Sequence, residues 1–174
     1  MKLPLITINH LSQDSFVKHF GQVVEHSAWV AEKACEHRPF ANIEQVKQVF
    51  VSIVQDAGEE SWRYILNLHP ELSGKEAEEG TLTKFSVSEQ MRIGLHTLNR
   101  HGVLQVREFN QQYRDKFGFP FVVCVRLLKD MEQLFAEMDR RLASEPAQEL
   151  LNGIEQVYAI GGFRIDDLIL PESN

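Results

Sequence analysis

Cysteine is scarce in this 174-residue chain: Cys35 and Cys124 are the only two, they lie far apart, and no Cys-x-x-Cys pair occurs. A disulfide framework and a cysteine-built zinc site are excluded, and reduced thiols are the expectation. Basic clusters are missing too. Lys plus Arg number 18 against 25 Asp plus Glu, a formal net charge of −7. A surplus of acid with no basic patch argues against nucleic acid and anionic membranes as partners, because both demand cations that displace counterions. Long apolar runs are absent. The longest, Phe119 to Val125, spans seven residues, against about 20 for a membrane-spanning helix. The stretch from Met1 to His10 is too brief and polar for a secretory leader, and the final Pro-Glu-Ser-Asn is no peroxisomal signal. The expectation is a mature cytoplasmic protein. None of the seven histidines forms an HxxxH or HxH pair, and His96 and His101, five apart, do not align on one helical face. No metal is expected.

What is present is apolar residues, 43% of the chain, at helical spacing nearly throughout. A chain of this length buries roughly 70% of its unfolded surface without a staple. The expectation is one all-α domain over residues 1–174, a bundle of about eight helices, with a short extended segment near 121–125. Ser12 precedes Phe16 and Phe20, and Gly21 suggests a stop. Ser27 can cap a helix carrying Trp29, Val30 and Ala34 that ends before Pro39, since a residue preceding proline avoids helix. Asn42 opens a helix with Val46, Phe50, Ile53 and Val54 on one stripe. The next runs from about Glu59 to Leu68 and into His69-Pro70. Residues 73–84 are polar, hold Gly74 and Gly80, and read as a loop. Ser86-Val87-Ser88-Glu89 has the form of a capping box opening a helix that reaches about His101-Gly102. A helix from Val103 to Phe117 carries Val106, Phe109, Asn110 and Tyr113, with Gly118 as its stop. Two more lie at about Lys129 to Ala143 and Pro146 to Ile169.

Several residues could carry chemistry, each with a plain alternative. Pro70 holds the backbone of His69 extended at a helix end, where an imidazole can face a cleft as general acid; a solvated or capping histidine has the same pattern. Ser86 and Glu89 are explained as a reciprocal cap, yet a helix start also offers free amides to an anion, with Glu89 as partner to a histidine. Phe117-Gly118-Phe119-Pro120-Phe121 reads as core. If the next residues stay extended without a sheet partner, their amides and carbonyls need other partners, and a polar ring ligand is one candidate.

Arg38-Pro39-Phe40, His69-Pro70-Glu71-Leu72, Ser86-x-x-Glu89-Gln90 and Tyr113-x-x-Lys116-Phe117-Gly118-Phe119-Pro120-Phe121, in this order, resemble the OHCU decarboxylase family. Glu25-His26-Ser27-x-Trp29-Val30-Ala31 and Phe163-Arg164-Ile165-x-Asp167-Leu168 extend the likeness from about Phe16 to Leu168. The resemblance implies cofactor-independent decarboxylation of 2-oxo-4-hydroxy-4-carboxy-5-ureidoimidazoline to (S)-allantoin, in an all-helical fold found as a homodimer. By that resemblance His69 is the catalytic acid/base and Glu89 its carboxylate partner. Pro70, the stretch Ser86, Val87, Ser88, Glu89 and Gln90, and the segment Phe121, Val122, Val123, Cys124 and Val125 hold the substrate, the last largely through main chain. Arg164 would meet a substrate anion or carbonyl. Because the chain is acidic, positive potential is expected to be local, at the Ser86 helix start and at Arg164. A non-catalytic helical module that binds a protein partner, and a decarboxylase for a related ureido-ring acid, are the rival readings.

Overall fold

Ten α-helices are found among residues 1–171, the part of the chain that the computed structural model describes. They are α1 (Leu5–Asn9), α2 (Gln13–Phe20), α3 (Ala28–Cys35), α4 (Ile43–Asp56), α5 (Gly58–Leu68), α6 (Lys75–Glu79), α7 (Lys84–Arg92), α8 (Arg100–Phe117), α9 (Met131–Leu142) and α10 (Pro146–Leu168). Eight of them have eight residues or more, the number expected from periodicity. Among the described residues the only β pairing is an isolated bridge between Leu3 and Ile169, so the fold is all-α.

Side chains of small polar residues cap five of the ten helix starts. Asn42 Oδ1 accepts from Gln45 N at 2.8 Å, Asn99 Oδ1 from Gly102 N at 2.9 Å, and Asp130 Oδ1 from Gln133 N at 2.9 Å. Each cap satisfies an amide that the first turn leaves without an intrahelical partner, worth about 0.5–2 kcal/mol. Several boundaries differ from the sequence reading. The helix expected to continue to Gly102 stops at Arg92, because Gly94 takes a left-handed φ of +85° that costs glycine little. Asn99 then starts α8 early enough to place Gly102 inside its first turn. The polar loop 73–84 contains the one-turn helix α6, closed by Gly80 at φ +68°. Ser27 precedes α3 as expected, but its hydroxyl donates to Glu25 O rather than capping the helix.

Contacts divide the chain into two units: Met1–Leu68 with the chain from Tyr158 onward, and His69–Val157. In the first unit Phe16 and Phe20 stack at 4.6 Å, and Phe20 meets Phe50 at 6.2 Å. These rings pack α2 against α4, while Trp62 Nε1 donates to Val54 O at 2.7 Å and joins α5 to α4. Leu3 N donates to Leu168 O and Leu170 N to Leu3 O, both at 2.9 Å. In the second unit Val106, Phe109, Tyr113 and Phe117 of α8 form a buried stripe. Leu134 and Met138 of α9 are buried as well, and Phe121 meets Tyr113 edge-on at 5.3 Å. The aromatic run that follows Gly118 is therefore core, as its composition implied.

Candidate active site

His69 follows directly on α5, and its side chain is 7% exposed. Proline at 70 ends the helical path; Glu71 O accepts from Gly74 N at 3.2 Å, and side chains supply further hydrogen bonds to the next three residues. Gln90 Nε2 donates to Glu71 O at 3.4 Å, and Ser73 N donates to Gln90 Oε1 at 3.2 Å. Asn110 Nδ2 donates to Leu72 O at 2.9 Å. Arg114 reaches the Glu71 carboxylate through Nε at 2.9 Å and Nη2 at 2.8 Å. Ser73 stands at φ +48°, a left-handed conformation that a non-glycine residue adopts only where its surroundings hold it there.

Helix α7 starts one turn earlier than the capping-box pattern suggested. Thr83 is its cap: Thr83 Oγ1 accepts from Ser86 N at 3.2 Å and donates to Ser86 Oγ at 3.2 Å. Thr83 stands three residues before Ser86, so its hydroxyl reaches the Ser86 amide, and Glu89 falls in the second turn rather than the third helical position. The expectation of a free amide at Ser86 is thereby corrected. Ser86 is buried and Glu89 and Gln90 are half-buried, whereas Val87 and Ser88 are exposed. Val87 and Gln90 also line a groove of about 360 Å³ completed by Ala77, Leu82, Met91 and Val103.

Phe121, Val122, Val123, Cys124 and Val125 are all buried and pair with no strand. Side chains supply partners here as well. Arg141 Nη1 donates to Val122 O at 2.6 Å, and Cys124 N donates to Gln156 Oε1 at 2.9 Å. Leu127 N donates to Cys124 O at 3.0 Å, opening a 3₁₀ turn over Val125–Leu127 that packs on α7. The Arg141 guanidinium lies 4.6 Å from the Phe121 ring centre, and its Nε donates to Glu149 Oε1 at 2.6 Å. Glu149 also accepts from Tyr113 Oη and, at 2.8 Å, from Asn152 Nδ2. Burial, above all, pushes the Tyr113 hydroxyl far up from its usual range. Burial likewise raises the Cys124 thiol, and the Glu89 carboxylate adds to that rise.

Within the second unit, α7 thus serves both stretches: Gln90 holds the loop after His69, and the helix packs on the turn that ends the 121–125 segment. Arg164 belongs to the first unit. It is 1% exposed, its Nη1 donates to Gln22 O at 2.9 Å, and it is ion-paired with Glu25. At the two places expected to concentrate positive potential, the Ser86 amide donates to Thr83 Oγ1 and the Arg164 guanidinium is ion-paired with Glu25. Arg141, Glu149, Gln156 and Arg114 were missed by the sequence reading. For Arg141 a signal was there: Leu134, Met138 and Arg141 share a buried helical stripe, and a cation on such a stripe requires a buried partner. Among the described residues no group of His, Cys, Asp or Glu side chains has a metal-binding arrangement.

A family model described as OHCU decarboxylase matches residues 9–166. The 2-oxo-4-hydroxy-4-carboxy-5-ureidoimidazoline decarboxylase of Amia calva is 37% identical over 165 residues, covering 93% of this chain and 92% of the relative. That of Mus musculus is 33% identical over 172 residues, covering 99% and 96%. The crystal structure of an (S)-allantoin synthase superposes with a TM-score of 0.72 at 22% identity over 96% of this chain, which spans about half of that chain, 54%. At that identity the structural likeness concerns the fold.

Proposed function

Because this chain belongs to the OHCU decarboxylase family, we propose that it decarboxylates 2-oxo-4-hydroxy-4-carboxy-5-ureidoimidazoline to allantoin in urate breakdown. The observation that carries the reading to particular residues is the double role of α7. One helix bears Glu89, carries Gln90, whose amide holds the loop behind His69, and packs on the turn that ends the 121–125 segment.

In this substrate the departing carboxylate is attached to a carbon next to a ring C=N. When the C–CO₂ bond breaks, its electron pair flows toward that C=N, CO₂ leaves, and an enol-like intermediate remains to be protonated on carbon. The substrate brings its own electron sink, which supports a reaction without a cofactor. The protein is left to orient the breaking bond, exclude water and deliver a proton to one face. His69 is the proposed proton donor and Glu89 the carboxylate proposed to orient its ring. Such proton delivery is generally worth about 10² to 10⁴ in rate. Protonation on one face makes (S)-allantoin the proposed product. Pro70, Ser86, Val87, Ser88, Gln90 and the segment Phe121 to Val125 are the proposed substrate-binding positions. Ser86 would act through its hydroxyl, as its amide is taken by Thr83, and the segment through main chain. Arg164 is proposed on the family resemblance alone to meet a substrate anion, and a raised KM in Arg164→Lys would support it.

The proposal takes residues 1–174 as one OHCU decarboxylase-like domain acting as a homodimer in the cytoplasm. Among the described residues no helix is long and apolar enough to cross a membrane. The test generates the unstable substrate from urate in situ and follows its absorbance together with the optical signal of allantoin. Acceleration over buffer with a single enantiomer formed, and a loss of roughly 100-fold or more in His69→Asn, is the expected result. No acceleration would sink the activity; an undiminished His69→Asn would remove His69 from its role.

A further inference from the structure

We propose that Asn110, through its hydrogen bond to Leu72 O, is a positioning residue that sets the place of His69 for proton delivery. The inference rests on the reading of His69 as proton donor.

Asn110 lies on the buried stripe of α8, 4% exposed, among Val106, Phe109 and Tyr113. Its Nδ2 donates to Leu72 O at 2.9 Å, and that carbonyl acceptor decides which end of the amide faces the loop. Its Oδ1 is buried with no hydrogen-bond partner among the described residues. An unsatisfied buried acceptor costs free energy that an apolar side chain of the same size would not. A residue serving packing alone would not carry that cost, so the value of this amide lies in what Nδ2 holds.

What it holds is the backbone two peptides beyond Pro70. Gln90 of α7 grips the residues on either side, Glu71 and Ser73, and Arg114, one turn after Asn110, grips the Glu71 side chain. Two helices therefore pin three consecutive residues, the last of them in a left-handed conformation. Proline fixes φ at position 70, and the bonds to Glu71, Leu72 and Ser73 restrain the residues that join the pinned carbonyl to the His69 backbone. Asn110 provides the one contact of this set that is fully buried, and displacement of Leu72 O would be passed back to His69.

The test compares wild type, Asn110→Leu and His69→Asn in the coupled assay, with thermal unfolding of each. Asn110→Leu removes the donor and the unsatisfied acceptor together. We expect a Tm close to wild type, a kcat lower by roughly 10- to 100-fold, a KM within about threefold, and a displaced limb in the pH profile of kcat/KM. If Asn110→Leu does not fold, the same readouts are taken on Asn110→Ala, which loses the donor and adds no polar group. A merely structural role predicts a lowered Tm with kcat and pH profile unmoved in the folded protein, and that result would overturn the inference. An undiminished His69→Asn overturns the reading of His69 and this inference with it. A disabled His69→Asn beside an Asn110 variant of full rate overturns this inference alone.

Discussion

Residues 69–73 and 121–125 are both irregular backbone held by helix side chains, but the holding chemistry differs. The loop after His69 is held by two neutral amides, Gln90 and Asn110, and by an ion pair in which Arg114 is 42% and Glu71 25% exposed. The 121–125 segment is held by Arg141, whose pair with Glu149 is 1% and 0% exposed and is completed by Tyr113, Asn152 and the Phe121 ring. In a low-dielectric interior such a network is strong when complete and costly when broken, because a remaining charge has no water to turn to. Amide bonds, each worth about 1 kcal/mol net, can be lost one at a time. The extended segment is thus a wall built into the core, and the loop behind His69 is held by contacts that can be removed singly.

The largest effect should come from breaking the wall. Arg141→Met leaves Glu149 buried without its cation and is expected to lose about 3–5 kcal/mol of stability, read from a urea midpoint. The double variant Arg141→Met with Glu149→Met sharpens the point: stability should largely return, since both charges go together, while activity stays low because Val122 O has lost its donor. Recovery of both would show that Arg141 does not hold the segment for function.

A smaller effect is expected with alkali. Burial keeps the Tyr113 hydroxyl protonated in the fold well above its usual pKa, whereas the unfolded chain ionises it near 10. The contribution is present below about pH 10 and is lost as pH rises beyond it, by about 1.4 kcal/mol per pH unit at most. Tyr113→Phe should give a flatter stability curve above pH 10 than wild type; parallel curves would contradict the assignment.

The smallest effect belongs to the half-exposed pair of the loop. Arg114→Gln is expected to cost no more than about 1 kcal/mol of stability and to lower kcat by less than the Asn110 variants do. Salt at about 1 M, where the Debye length is roughly 3 Å, should bring wild-type kcat toward that of the variant. A wild-type kcat indifferent to salt would place Arg114 outside the holder.

These two stretches also differ in how far they could be read in advance. The motif around His69 and the aromatic run to Phe121 were visible as words of sequence, and the burial of the run followed from its composition. The partners that hold them were not visible: Asn110 stands 38 residues from Leu72, and Arg141 19 from Val122. The capping box at Ser86 was misleading, because Thr83 offers the same chemistry one turn earlier and local pattern does not rank two acceptable caps.

The order of apolar and polar residues by itself determined the longer helices, the caps at Ser12 and Asn42, the all-α class and the family, since all of these depend on residues a few positions apart or on motifs kept in order. The tertiary structure alone decided which side chains meet the unpaired carbonyls and amides of the two irregular stretches, and that Arg164 is already engaged by Glu25. Those choices bring together residues far apart in the chain, and buried polar groups must find partners wherever the packing puts them.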